Sequence, residues 1–164
     1  MNRKTIQQIA YNFPTIKFLT GSKEVVNILA TNKVNMKNII YIPNSSWYDL
    51  GILKVKLELL EHDVENYALH FEIKSKKGIY IVDTASVENI NAKGYDLYLI
   101  EANYQEEILE EHLKNCEDKD KIYLERVKYT HLSYEMANDF LIRNMEKNSE
   151  YSYIHKSEYN FKEE

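Results

Sequence analysis

Four predicted strands of this 164-residue chain end in polar residues of the types that bind metals or transfer protons. These residues are His62 after "KLELLE", Asp83 after "GIYIV", Glu101 and Asn103 after "YDLYLI", and His155 after "YSYI". In layered α/β folds, the loops beyond strand ends form the usual crevice for ligands. The pattern therefore predicts a ligand site where these strand ends come together.

Three of these residues have a structural interpretation beside the chemical one. Asp83 would equally well cap the turn that follows it, because aspartate side chains accept hydrogen bonds from nearby backbone N–H groups. Glu101 and Asn103 would likewise cap the helix that is predicted to begin near Gln105. The residues alone leave both interpretations open.

Other reactive side chains are interpreted as structural. His70 and His112 are taken as hydrogen-bonded boundary residues, which is the commoner role of a lone histidine. Cys116 has no Cys or His at ligand spacing and is taken as a bystander. Ser133 is a good N-cap for the helix that follows it, which leaves the neighbouring His131 without a structural explanation.

Hydrophobic periodicity predicts a mixed α/β chain. Period-two alternation marks strands, as in "ILKVKLELLEH", and period-3.6 patterns mark helices, as in "TIQQIAYNF" and "SKEVVNILATN". The strands predicted to share one sheet lie near 38–42, 51–61, 67–73, 79–83 and 95–100. Helices near 105–115 and 133–147 are predicted to pack on this sheet, "YSYIH" is a closing strand, and "NCEDKDK" is a charge-rich loop.

Composition limits the classes of function. A chain with 44% hydrophobic and 29% charged residues fits one compact domain. Its net charge of −5 makes direct nucleic-acid binding unfavourable, and its single cysteine excludes an internal disulfide. The absence of a leader or a long apolar run predicts a cytoplasmic protein with no membrane contact. The frequent Lys, Asn, Ile and Tyr are typical of a low-GC bacterium or its phages.

Five segments in order resemble the later part of metallo-β-lactamase-fold hydrolases, in the phosphodiesterase and nuclease-like branch. They are "HDVENY", "IYIVDTASV", "YDLYLIEANY", "THLS" and "YIHKSEYNF". The resemblance implies a truncated αββα sandwich, with a mixed sheet and flanking helices, as a single domain over residues 1–164. In that family a His-x-His-x-Asp-His motif precedes a helix like "KTIQQIAYNFP". Because the chain begins at this helix, the N-terminal sheet and the first metal motif are expected to be absent.

The resemblance also assigns roles to individual residues. His62 matches the later histidine of the first metal site, Asp83 the carboxylate that bridges both metals, and His155 the last histidine of the second site. His131, with Glu101 and Asn103, matches second-shell or substrate-side positions. Each of the two metals would keep at most two protein ligands, whereas a catalytic zinc typically has about three. No catalytic residue and no cofactor is therefore expected in the lone chain, apart from weak zinc or manganese binding.

Two functions follow from the resemblance. The first is a non-enzymatic binding protein, a phage or mobile-element inhibitor whose target is a host protein such as a nucleic-acid-binding defence protein. The alternative is one half of a metal-dependent phosphodiesterase or nuclease, which a partner chain or dimerisation completes. A missing sheet would uncover an apolar face, so a homodimer or a bound host protein is expected. A truncated remnant without function is the third interpretation.

Overall fold

The computed structural model describes residues 3–43 and 45–158. The chain divides into two compact units, residues 1–46 and residues 47–164. One domain over residues 1–164 stays a prediction.

The first unit is a small α/β arrangement. Its elements are α1 (Arg3–Asn12), β1 (Phe18–Thr20), α2 (Lys23–Thr31), a short 3₁₀ helix (Met36–Asn38) and β2 (Ile39–Tyr41). Ile6, Leu29 and Val34 form its buried core. Helix α2 begins at Ser22, whose hydroxyl oxygen accepts a hydrogen bond from the backbone N–H of Val25.

The prediction that the strand near 38–42 belongs to the main sheet is wrong. β2 instead pairs in parallel with β1, and the two strands form a separate two-stranded sheet. The physical reason is local, because α2 connects β1 to β2 as a crossover that returns the chain parallel to its starting strand.

The second unit is built on a six-stranded mixed sheet in which the strands follow their sequence order. The strands are β3 (Trp47–Asp49), β4 (Leu53–Leu60), β5 (Asn66–Ile73), β6 (Lys76–Ile81), β7 (Leu97–Glu101) and β8 (Glu150–Ile154). Strands β3 to β6 are antiparallel neighbours, whereas β6, β7 and β8 run parallel. The predicted strands from 51 to 100 and the closing strand are confirmed in this sheet. The carboxyl ends of β4, β6, β7 and β8 therefore point to one edge.

The core of this unit lies between one face of the sheet and the helix α5 (Tyr134–Asn144). Strand residues such as Ile79, Ile81 and Ile100 are fully buried against helix residues that include Phe140 and Leu141. Each fully buried aliphatic or aromatic side chain contributes roughly 1.5–3 kcal/mol of hydrophobic stabilisation. This packing fixes the ends of the parallel strands relative to the helix.

Three helices connect β7 to β8, and one of them was not predicted. Helix α3 (Glu106–Asn115) and α5 are confirmed, and Ser133 caps α5 by accepting a hydrogen bond from the N–H of Met136 at 3.1 Å. The prediction that "NCEDKDK" is only a loop is wrong, because α4 (Asp118–Thr130) begins within it. The negative charges of Asp118 and Asp120 in the first turn of α4 stabilise the positive end of the helix dipole. Leu124 and Val127 are buried on one side of this helix.

Among the residues that the structure describes, no helix is both long and apolar enough to cross a membrane.

Candidate metal centre

Four polar side chains meet at the edge where the parallel strands end. Asp83 lies just beyond β6, Glu101 is the last residue of β7, and His155 follows β8. His131 joins them from the junction between α4 and α5. Each of the four offers a potential ligand atom, and these atoms all lie within 4.8 Å of one another. The cluster is therefore compact enough to surround one metal ion.

Glu101 is the buried centre of this cluster. Its side chain is 0% exposed, and its Oε1 accepts hydrogen bonds from Nδ1 of His131 at 2.6 Å and Nδ1 of His155 at 2.8 Å. Its Oε2 accepts from the backbone N–H groups of Thr84 at 3.3 Å and Leu132 at 3.4 Å. Four donors thus compensate a buried charge that would otherwise be strongly unfavourable. Because Nδ1 of each ring donates to the carboxylate, Nε2 is the nitrogen left for a ligand.

Asp83 and His155 form the outer part of the cluster. Oδ1 of Asp83 lies 3.2 Å from Nδ1 of His155, and the two side chains are 40% and 45% exposed. They line a shallow cavity of about 250 Å³ together with Tyr80, Val82 and Ile154. A ligand from solution can therefore reach these two residues.

The electrostatics of the cluster favour a charged His131. The hydrogen bond to Glu101 raises the pKa of His131, partial burial opposes that rise, and the negative charge of Asp83 adds to it. The Arg126 guanidinium acts in the opposite direction and lowers this pKa. The net effect is a ring that stays protonated to higher pH than a free imidazole.

His62 lies beside the cluster rather than within it. Its ring stands edge-on to that of His131, with 6.1 Å between the ring centroids. Its Nδ1 accepts a hydrogen bond from the backbone N–H of Asp63 at 2.7 Å. Asp63 in turn accepts a hydrogen bond from Arg126 at 2.6 Å, and this contact lowers the pKa of Asp63. The loop after β4 is thus joined to α4 next to the candidate site.

The structure brings together most of the residues that the sequence singled out. Asp83, Glu101, His131 and His155 form the cluster, although the resemblance separated metal ligands from second-shell positions. Asn103 is a buried neighbour whose side-chain amide donates to the backbone carbonyl of His155 at 3.0 Å.

Two residues near the site were not predicted. Arg126 lies on the unpredicted helix α4, so no pattern indicated its position beside Asp63. Asn66 is the first residue of β5, and its side chain donates to the backbone carbonyl of Asp83. The one signal in the sequence was a polar residue at the start of a strand, and that signal does not indicate which backbone group it contacts.

Two side chains taken as structural lie outside the cluster. His70 is fully buried, with Nδ1 3.1 Å from the hydroxyl of Tyr95 and Nε2 2.9 Å from a carboxylate oxygen of Glu58, although that second approach is poorly aligned for a hydrogen bond. The thiol of Cys116 contacts the backbone carbonyl of Leu113 at 3.6 Å.

Solved structures with the metallo-β-lactamase fold are similar to this chain over most of its length. The metallo-β-lactamase fold protein YhfI from Bacillus subtilis matches with a TM-score of 0.65 and 14% identity, over 97% of this chain and 60% of that chain. Zn²⁺-bound PqqB from Methylobacterium extorquens matches with a TM-score of 0.59 and 15% identity, over 94% and 58% of the two chains. Human tRNase Z, short form (ELAC1), matches with a TM-score of 0.63 and 12% identity, over 95% and 66%.

These similarities establish the fold. The chain has the metallo-β-lactamase fold, as the sequence motifs predicted, and it spans 58–66% of the length of these proteins. No family model matches the sequence, and no curated protein matches it either.

Proposed function

We propose that this chain carries a zinc-binding part of a hydrolytic centre, held by Asp83, His131 and His155 around the carboxylate of Glu101. The observation that carries the proposal is the cluster of four ligand-type groups at the carboxyl ends of parallel strands. Imidazole and carboxylate together are the donor set that zinc commonly takes in catalytic sites. The fold of a Zn²⁺-bound protein, PqqB, supports the same assignment.

The cluster has enough ligand-type side chains for one zinc ion but not for two. The expectation of weak binding came from dividing the residues between two metals, with at most two ligands each. In the structure three ligand-type side chains surround one carboxylate, and about three protein ligands is the usual number for a catalytic zinc. One ion with three protein ligands therefore fits the cluster.

Each residue of the cluster has a role in this proposal. Asp83, His131 and His155 would hold the ion, and Glu101 orients both imidazole rings through their Nδ1 atoms. A zinc ion in such a site supplies Lewis-acid polarisation and a bound water whose pKa is about 7. The raised pKa of His131 means that a proton competes with zinc for this ring as the pH falls.

The proposed substrate class is a phosphodiester. The guanidinium of Arg126, which pairs with Asp63 and is close enough to His131 to lower its pKa, is a partly exposed cation near the cluster and supports an anionic substrate. The sequence contains no His-x-His, so turnover is proposed to need groups from a partner chain or a second copy.

A protein-binding role without metal is the competing proposal. It is supported by apolar side chains that α4 leaves exposed, since Ile122, Tyr123 and Tyr129 are 74%, 61% and 73% exposed. Such a surface suits contact with a second copy or a host protein. The assignment of that host protein to defence, and of this chain to a phage inhibitor, stays a prediction.

Zinc binding distinguishes the two proposals. The chain, stripped with EDTA, is dialysed against zinc and its metal content is measured, and its dissociation constant is determined by calorimetry. We expect one zinc per chain with micromolar affinity, and at least tenfold weaker binding by the Asp83→Ala and His155→Ala variants. Asp139→Ala and His112→Ala are matched controls outside the cluster. A wild-type chain that takes up no zinc would refute the metal-centre proposal and leave the protein-binding role.

A further inference from the structure

Two residues of the candidate centre have an unusual backbone conformation. Asp83 has a φ of 53° and His155 a φ of 55°, so both lie in the left-handed region. Residues other than glycine adopt this region uncommonly, although Asp and His do so more often than most, and neighbouring contacts commonly hold them there. In both residues the conformation occurs just beyond the end of a parallel strand. Something must therefore keep the chain turned at these two points.

Asn66 holds the turn at Asp83. Its side-chain Nδ2 donates hydrogen bonds to the backbone carbonyls of two consecutive residues, Val82 at 2.6 Å and Asp83 at 2.8 Å. Both N–H bonds of one amide are thus directed at the segment that leaves β6. Asn66 is half-buried at the start of β5, so the sheet itself anchors its backbone.

Asn103 holds the turn at His155 in the same way. Its Nδ2 donates to the backbone carbonyl of His155 at 3.0 Å, and its backbone carbonyl accepts a hydrogen bond from the N–H of Ser157 at 2.9 Å. Its N–H also donates to the carbonyl of Leu132 at 2.9 Å, next to His131. Asn103 is 8% exposed and therefore links the turns that carry both histidines from a buried position.

We infer that Asn66 and Asn103 are positioning residues, which hold Asp83 and His155 in the left-handed conformation that brings their side chains to Glu101. This inference rests on the proposed zinc centre. The Nδ2 group of each asparagine donates to a backbone carbonyl, and neither asparagine belongs to the four-residue cluster. Any effect of the two asparagines on zinc is therefore transmitted through Asp83 and His155. Outer-sphere partners of metal ligands commonly change metal affinity by 10–100-fold when they are removed.

Leucine substitutions at the two asparagines test this role, because leucine keeps a similar size and lacks the donors. We expect Asn66→Leu and Asn103→Leu to bind zinc about 10–100-fold more weakly and to change the visible absorption of bound Co²⁺. Asn144→Leu is the matched control, since Asn144 is also buried and donates from Nδ2 to a backbone carbonyl, that of Phe140 at 2.8 Å. The control variant is expected to lose thermal stability and to keep the zinc affinity of the wild type.

The outcomes separate the inference from the function on which it rests. If both leucine variants melt at lower temperature, as the control does, and bind zinc as tightly as the wild type, the inference is refuted and the metal centre stands. If the wild type binds no zinc, the metal centre itself is refuted.

Should the leucine variants not fold, Asn66→Ser and Asn103→Ser retain one donor, and zinc affinities between those of the wild type and a ligand variant are expected. Serine variants with wild-type affinity would overturn the inference.

Discussion

Glu101→Gln exchanges a fully buried carboxylate for a neutral amide of the same shape. The carboxylate accepts four hydrogen bonds, two from imidazole Nδ1 atoms and two from backbone N–H groups. An amide accepts only through its oxygen, so if that oxygen keeps the two imidazole bonds, its NH₂ group faces the two backbone N–H donors. In the other orientation the NH₂ group faces two Nδ1 atoms, which have to lose their protons before they can accept. The variant therefore loses two of the four bonds and gains an unfavourable donor–donor contact.

The size of the effect follows from these bonds. A hydrogen bond to a charged group contributes about 1.5–3 kcal/mol, so the loss of two costs about 3–6 kcal/mol. Removing a buried charge offsets part of this loss, because desolvation of a carboxylate is itself unfavourable. We expect Glu101→Gln to lower the free energy of unfolding by about 2–4 kcal/mol at neutral pH.

The pH dependence of this effect has a defined sign. The bond to Glu101 is the main cause of the raised pKa of His131. A raised folded-state pKa stabilises the protein below the unfolded pKa of about 6.5, and that stabilisation is lost as the pH rises through the folded pKa. The difference between wild type and Glu101→Gln should therefore be largest below pH about 6.5 and smaller at alkaline pH.

Two assays on zinc-free protein test this reasoning. Urea denaturation at several pH values gives the free energies, and an NMR titration of the imidazole C–H signals gives the pKa of His131, which should fall in Glu101→Gln. Glu110→Gln, on an exposed position of α3, is the control. An unchanged pKa of His131, with a loss of stability below about 0.5 kcal/mol, would refute the assigned role of Glu101.

Two further predictions concern other parts of the second unit. Burial lowers the pKa of His70 to about 4, so the folded state resists protonation of this ring. The urea midpoint of the wild type should therefore fall as the pH drops from about 6.5 to about 4. A His70→Gln variant should show a smaller fall. Leu124→Ala should cost about 2–5 kcal/mol in urea denaturation, because Leu124 is buried in α4. Ile122→Ala, on the exposed side of the same helix, should cost less than about 0.5 kcal/mol, and equal losses would contradict the orientation of α4.

The main sheet could be predicted because its strands carry their own signal. Segments such as 53–60 and 66–73 alternate between buried and half-exposed positions, and this alternation is visible as a period of two in the sequence. The strands that end at the cluster alternate less clearly, but each is an apolar or aromatic run followed by a polar residue, as in "GIYIVD" and "YDLYLIE". Asp83, Glu101 and His155 stand out in this way from the amino-acid sequence alone.

The parts that were not predicted depend on long-range pairing or on weak local patterns. The pairing of β2 with β1 is set by the crossover through α2, which the residues of β2 do not reveal. Helix α4 begins with charged residues and has a narrow apolar side, so its N-terminal part had the pattern of a loop. The role of Asn66 depends on a contact 17 residues away along the chain, and sequence periodicity contains no such information.

Three features argue that the cluster is a binding centre rather than a structural network of ion pairs. A structural network gains most when all its members are buried and satisfied, whereas Asp83 and His155 are 40% and 45% exposed. A structural network has no need of left-handed backbone, yet both of these residues adopt it and each is held by an asparagine. Unfavourable backbone conformations of this kind concentrate at ligand sites, where the aim of a side chain matters more than local stability. The buried Glu101 then orients the outer groups from within, as carboxylates do behind metal-bound histidines.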